Sequence, residues 1–385
     1  MIPLFPTLHP AYFRQPAQPS SLLPFPLNQK RVRYYYFARN GIWEALQIFG
    51  LKTGDEVLMP AFTSGIEVDA VIASGLVPVI YDLHENFTPN FNDVRAKLSP
   101  RTKILYLTHY LGFPQLTRDA LNVCKNNGLY LFEDVAIGFL SADEDGEPLG
   151  SKGDAAIFCP RKTVPIPHGG LMVVNNPDLP FPATRQRRPS HYSTARQMAA
   201  LSLKRMAASK NSRAFALFGS WTWTRAVPLL NAFLKTIGIK NTECGRFEFD
   251  ATKTDWGMSA ISKYLLPRFD YEDIKHRHRE NYTALAASIK GVPGLTIAFS
   301  SLPAHTVPLD LMILGCKCNE INAKLRQQGI ETSVFWPDHR SYEIGDSSPF
   351  IKKILREHLV LPIHQDLSTS DMEIMGSAIR RICLS

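Results

Sequence analysis

From Tyr34 onward the chain alternates two kinds of apolar pattern. Asn40 to Phe49 puts Ile42, Ala45, Leu46 and Phe49 at the three- and four-residue spacing of a one-sided helix, and Gly50 ends it. Short apolar runs then alternate with helical stretches: 56–59, helix 65–74, 77–81, helix 91–98, 103–107, helix 115–126, and 129–132. Strands at this rhythm, each followed by a crossover helix, predict a mainly parallel sheet covered on both faces, an α/β architecture. Ligands of such sheets sit at the carboxyl ends of the strands. That rule gathers His109, Asp134, Lys162 and the loop Pro60 to Gly65 at one end of the sheet.

The pattern changes beyond residue 267. A polar helix over 271–287, short strands over 295–299 and 306–314, helix 319–327, strand 332–336, helix 349–356, strand 359–363 and a last helix over 369–381 predict a smaller α+β unit. Residues 1–30 are proline-rich and read as an arm that packs on the body or on a partner. The expected division is therefore an arm over 1–30, a large domain over 31–267 with an insertion at about 180–245, and a small domain over 268–385.

The 385 residues, 45% hydrophobic and 20% charged, suit a folded two-domain protein. A net charge of +8 suggests nucleic acid until it is located. Eleven Lys or Arg and no acid lie between Leu179 and Thr242, so the rest of the chain is net acidic and nucleic acid is not an expected partner. The same segment carries Phe215, Trp221, Trp223 and Phe233. It reads as helices with a solvated basic face; a peripheral contact of residues 196–240 with anionic membrane, or a role in holding substrate phosphate, stays open. The six cysteines lack C-x-x-C pairing, although Cys316 and Cys318 would share a face of a strand, and no metal is expected. Prolines interrupt the first residues, and no run reaches the roughly 20 apolar residues of a bilayer span. A cytoplasmic protein is expected.

Candidate chemistry centres on Asp134, after the buried run 129–132, and on Lys162, at the end of the stretch Gly153–Lys162. A strand-end carboxylate and a lysine on the next strand-turn unit are what a pyridoxal 5'-phosphate site requires. The lysine forms the Schiff base, and the carboxylate keeps the pyridine nitrogen protonated.

Five segments, Gly54–Thr63, Gly75–Asp82, Ser99–Lys103, His109–Pro114 and Phe132–Ala136, together with the Lys162 stretch, resemble the DegT/DnrJ/EryC1/StrS family. Trp256–Ser259, Arg277–Tyr282 and Val360–His364 carry a weaker likeness. The resemblance implies a fold-type I pyridoxal phosphate transferase with a mainly parallel seven-stranded sheet flanked by helices and a smaller C-terminal α+β domain. It also implies a homodimer with shared active sites, a nucleotide-sugar substrate and an amino-acid donor. Residue by residue it makes Lys162 the Schiff-base lysine and Asp134 the pyridinium partner, with Ala38, Arg39 and Cys159 at the phosphate. Ser64 stands where the family has a ring-stacking aromatic, which Phe62 or Trp43 would have to replace. Ile137 stands where its aminotransferases have glutamine and a related dehydratase has histidine. Asp255 lies near an asparagine that reaches the partner's phosphate. His109 approaches the cofactor or is structural, and His168 and the loop 336–339 read as turns before substrate groups. Three functions follow: an aminotransferase acting on a nucleotide-linked keto sugar, with glutamate as donor, which leads; a lyase or dehydratase on the same scaffold; and a non-catalytic paralogue that binds the cofactor or a nucleotide sugar.

Overall fold

The structure, a computed structural model, describes residues 1–209, 249–336 and 349–384. The large domain runs β1 (Val32–Tyr35), α1 (Ala38–Ile48), β2 (Glu56–Pro60), α2 (Ile66–Ala73), β3 (Val77–Tyr81), α3 (Phe91–Ala96), β4 (Thr102–Thr108), α4 (Thr117–Asn127), β5 (Tyr130–Val135), β6 (Ala155–Phe158), β7 (Gly170–Val174) and α5 (His191–Ala207). Its seven strands lie in the order β1-β7-β6-β5-β4-β2-β3. The pairings from β3 through β2, β4 and β5 to β6 are parallel, while β7 is antiparallel to both β6 and β1. This is the mainly parallel seven-stranded sheet expected. The edge strand β1 was not foreseen, because its four residues, Val-Arg-Tyr-Tyr, are too short to show a period.

Alternation along the central strands splits the core into two layers. Val57, Met59, Ile104, Tyr106 and Ile157 pack with residues of α1 and α2 on one face. Leu58, Leu105, Leu107 and Leu131 face the other way, into a cluster that continues through α4 into the small domain. Apolar side chains on both faces explain why these strands read as continuous apolar runs.

Helix α6 (Ala260–Leu265) packs with Phe158, Leu171 and Val173 of the large sheet. The second unit is built from α7 (Tyr271–Ile289), β8 (Thr296–Ile297), β9 (Asp310–Leu314), α8 (Cys318–Gln327), α9 (Pro349–Ile354), β10 (His358–Pro362) and α10 (Thr369–Leu384). In the antiparallel sheet β10-β9-β8, β9 packs against α7 and β10 against α8, and α10 packs on both helices. Three expectations change here. Strand 306–314 starts only at Asp310, because Pro308 has no N–H and the Val307 N–H donates to Ser141 Oγ at 2.9 Å. The expected strand 332–336 is a single bridge, Ser333 to Val360, after which the chain turns away at Trp336 with φ +54°. Cys318 opens α8, so it does not share a strand with Cys316.

Polar contacts tie the two units along a seam. The Leu309 N–H donates to the Leu111 carbonyl at 2.9 Å, and Gln365 Nε2 donates to the Thr163 carbonyl at 3.0 Å. Gly112 sits at φ +91°, and a Cβ there would come within 2.4 Å of the Val307 carbonyl oxygen, so close docking requires glycine. The N-terminal arm lies across the second unit: Ile2 pairs with Gly329 and Glu331, His364 Nε2 donates to the Pro3 carbonyl at 2.9 Å, and Thr7 donates to Asp366. Within the basic segment, α5 is capped by Ser190 and tied to Glu331 through Lys204 at 3.1 Å. Phe215, Trp221, Trp223, Phe233 and most of 196–240 lie outside the described residues. No helix among the described residues is long and apolar enough to cross a membrane.

The connection after β5 is organised by Glu133, which is 1% exposed. It accepts from His109 Nε2 at 2.9 Å and from the backbone N–H groups of Gly150, Lys152 and Gly153. The Gln115 N–H donates to His109 Nδ1 at 3.1 Å, so the ring proton sits on Nε2, facing Glu133. Removing the carboxylate strands these donors in a dry interior. Glu133→Ala is expected to lose about 3–5 kcal/mol of stability, read as a lowered urea midpoint with an unchanged slope.

Candidate active site

Asp134 lies inside β5, not past its end, opposite Thr108 of β4 and Ile157 of β6. The strand's alternation sends it to the face opposite Glu133. Its Oδ1 accepts the Ala136 N–H at 2.8 Å and its Oδ2 accepts the Tyr106 hydroxyl at 2.7 Å. Burial first, and the charge of Glu67 second, raise its pKa to about 6, against the pull of those hydrogen bonds and of Lys162. Lys162 ends a short 3-10 turn, Pro160–Lys162, whose N-cap is Cys159. The fold thus brings the two strongest sequence candidates within electrostatic reach of each other.

The phosphate-end candidates lie where β1 passes into α1. Phe37 caps the helix, and its own N–H donates to Asn40 Oδ1 at 3.1 Å, which leaves Ala38 and Arg39 in the first turn at the positive helix end. Gly170 permits the approach of β7, since a Cβ there would be 2.5 Å from the Ala38 nitrogen. Two guanidinium groups lie over the Phe37 ring, Arg39 at 4.7 Å and Arg161 at 5.1 Å. Phe249, Asp250 and Lys253 stand opposite, with a Lys253–Asp250 ion pair of 2.7 Å, and the space enclosed is about 10 Å³, room for one water. Cys159 is buried, and its carbonyl accepts the Lys162 N–H at 3.0 Å. No hydrogen bond of its thiol is present among the described residues.

The positions that depart from the family pattern have definite partners. The Ser64 hydroxyl donates to Glu67 Oε2, which also accepts from Thr63 Oγ1 at 3.0 Å, so a polar pair occupies the place of the aromatic. Phe62 is fully buried against Trp336, its ring centroid 4.5 Å away, with Phe87 and Tyr110 also in contact. Ile137 is buried in the apolar cluster that crosses the seam. Asp255 is held by Arg187 in two contacts of 2.7 Å, which offsets the charge that would repel a phosphate. His168 is buried, stacked on Tyr36 at 4.1 Å, and burial lowers its pKa to about 3, so it is an uncharged packing residue. His109 is likewise structural, through Glu133. Residues 337–339 lie outside the described residues.

Three residues that act on this pair or feel it were missed: Tyr106 donates to Asp134, the charge of Glu67 acts on Asp134, and the charge of Lys162 acts on Asp310. The Tyr106 signal was available, since its position on β4 matches Phe132 in register and neighbours Asp134. Glu67 could have been found at helical spacing from Ser64. Asp310 arrives from the second unit, and nothing local marks it.

A family model for the DegT/DnrJ/EryC1/StrS aminotransferase family matches residues 38–202. The GDP-perosamine synthase of Vibrio cholerae is 32% identical over 138 residues, 35% of this chain and 37% of that protein, so the alignment spans little more than a third of that relative. The dTDP-4-dehydro-2,3,6-trideoxy-D-glucose 4-aminotransferase of Saccharopolyspora spinosa is 25% identical over 346 residues, 87% of this chain and 80% of that protein. Among solved structures, the aminotransferase TlmJ of Streptoalloteichus hindustanus superposes with TM-score 0.68 at 20% identity, covering 99% of this chain and 98% of the other. A family aminotransferase of Brucella abortus gives TM-score 0.64 at 16% identity over 92% and 86%. Residues 38–202 thus match the DegT/DnrJ/EryC1/StrS aminotransferase family, and the chain as a whole shares its fold with solved aminotransferases.

Proposed function

We propose that the chain is a pyridoxal 5'-phosphate-dependent aminotransferase. It would transfer an amino group from glutamate to a nucleotide-linked keto sugar in polysaccharide or glycoconjugate biosynthesis, as a cytoplasmic homodimer with shared active sites. The observation that carries this reading is the buried, partly satisfied Asp134 carboxylate within electrostatic reach of Lys162. Relatives with GDP- and dTDP-linked sugars in their names support the substrate class. Peripheral contact of residues 196–240 with anionic lipid belongs to the same proposal.

The donor and acceptor chemistry around Asp134 fits the cofactor's ring. A carboxylate offers about four lone-pair sites, and Asp134 uses two, on Ala136 and Tyr106. A protonated ring nitrogen is the partner that such a buried, half-satisfied carboxylate calls for. At the other end, the α1 N-terminus and the Arg39 and Arg161 side chains would meet the phosphate. When bound, the cofactor supplies a ring that accepts the electron pair left at the donor's α-carbon. Lys162 would hold the cofactor covalently and, once freed, move a proton with its Nζ. Asp134 would keep the ring nitrogen charged, Tyr106 would fix the carboxylate's orientation, and Phe62 with Trp336 would exclude water.

One observation favours the non-catalytic reading: at Ser64 and Ile137 the pocket lacks the aromatic and polar groups of its relatives. Purified protein given pyridoxal 5'-phosphate is expected to absorb in the visible, with the band bleached by borohydride and lost in Lys162→Ala. A protein without this band overturns the reading. Glutamate is expected to convert the band, and a band that no amino donor moves selects the non-catalytic alternative. Asp134→Asn should keep the borohydride-sensitive band but slow the glutamate conversion by about 10²-fold or more. Because the Asp134 pKa is raised to about 6, its carboxylate is lost as pH falls through that value. Cofactor affinity, measured by fluorescence titration, should therefore weaken below pH 6.

A further inference from the structure

Two stretches of weaker family likeness, Arg277–Tyr282 and Val360–His364, contribute none of the site residues described above, yet they meet in the structure. Asn281 of α7 is fully buried and shares its Nδ2 among the carbonyls of Ile363 at 3.1 Å, His364 at 3.2 Å and Leu367 at 3.1 Å. This holds the connection from β10 to α10 against α7. The side chain that the connection sends across the seam is Gln365, 8% exposed. Its Nε2 donates to the Thr163 carbonyl at 3.0 Å, so its amide oxygen is turned to His278 Nε2, 2.9 Å away. The other ring nitrogen of His278 faces the Pro308 carbonyl at 2.8 Å, one residue before the Leu309 N–H that is bonded to Leu111. An imidazole with one proton donates to one of these two acceptors, and with two protons to both.

Thr163 is the C-cap of the short turn that ends in Lys162. The turn's own hydrogen bonds run back on itself, from the Lys162 N–H to the Cys159 carbonyl at 3.0 Å and from the Thr163 and Val164 N–H groups to the Pro160 carbonyl at 2.8 Å. They fix the shape of the turn but not its place in the molecule. Gln365 supplies an anchor from outside, one residue from the lysine. A leucine would fill the same buried space without the cost of desolvating an amide, so the amide serves direction rather than burial. We propose that Gln365 is a positioning residue for Lys162: through the Thr163 carbonyl, the small domain holds the lysine's turn, and with it the Nζ, in one place relative to Asp134. His278, Asn281 and Gln365 all belong to the small domain and Thr163 to the large one, so placement of the lysine depends on docking of the two. The inference rests on the reading of Lys162 as the residue that would hold the cofactor.

The test adds pyridoxal 5'-phosphate to the full-length chain at pH 8 and follows how fast the borohydride-sensitive visible band appears. Gln365→Glu keeps the shape and the acceptor toward His278 but sets a carboxylate oxygen against the Thr163 carbonyl. Its band should form about tenfold more slowly than that of the wild type, with the fold retained by circular dichroism. Gln365→Met, apolar and of similar length, removes donor and acceptor together, should slow the band alike, and stands in if the buried carboxylate disturbs folding. Hydrogen exchange of the cofactor-free chains gives a second readout: the Lys162, Thr163 and Val164 amides should exchange about tenfold faster in both variants, with those of β9 and β10 unchanged. A residue that merely fastens the seam gives a different signature. Exchange would then rise alike in the turn and in β9 and β10, while the band forms at the wild-type rate. That outcome, or a turn whose exchange is unchanged, overturns the proposal. A wild type without the band sinks the functional reading and this inference with it, whereas a wild-type band that both variants reproduce at the same rate removes this inference alone.

Discussion

Strand β5 carries two acids in succession, and the pleat forces them to opposite faces of a sheet buried on both. Neither carboxylate can reach water, so each must be matched where it lies. Glu133 is matched by backbone N–H groups of the 150–153 turn and by His109, which fixes the path from β5 to β6. That path sets where the chain re-enters the sheet, and therefore where the turn bearing Lys162 emerges. Asp134 is matched only in part, by Tyr106 and Ala136. The saturated acid builds the scaffold and the unsaturated one makes the pocket. One residue of register slip would exchange these roles.

The second constraint is the seam. The apolar cluster running from Leu58 and Leu105 through Leu111 and Ile137 to Ile313 and Leu361 is continuous across both units. Fixed polar contacts at Leu111, Thr163 and Ser141 hold the small domain in one register against it. Phe62 and Trp336 meet at the same boundary, so the pocket's cover is built from both sides. Burial on this scale orders loops that would otherwise move.

What could be read from the sequence follows the range of the interactions involved. The alternating strands and helices were legible because each records its own burial: Ile42, Ala45 and Leu46 mark the inner face of α1 whatever lies beyond it. Lys162 and Asp134 were legible because both sit on adjacent strand-turn units with local motifs around them. The short strand β1 was not, because its existence depends on β7 to pair with. The expected strand at 332–336 failed for the converse reason, since a run of suitable residues found a partner at Ser333 alone. His109 was ambiguous in sequence and is settled by Glu133 and Gln115, contacts that only the fold supplies.

The departures from the family pattern obey the same rule of matching. An acid introduced near a buried site must find donors, a counter-charge or a proton. Glu67 finds the hydroxyls of Thr63 and Ser64, so Ser64, which stands in place of the stacking aromatic, serves as a donor to a carboxylate. Asp255 finds the Arg187 guanidinium, in a planar two-contact geometry that holds its charge locally. Asp310 finds no such donor among the described residues, and the charge acting on it is that of Lys162. Of these three acids, then, Asp310 is the one matched by a proton: burial raises its pKa to about 8, so it is neutral below that pH.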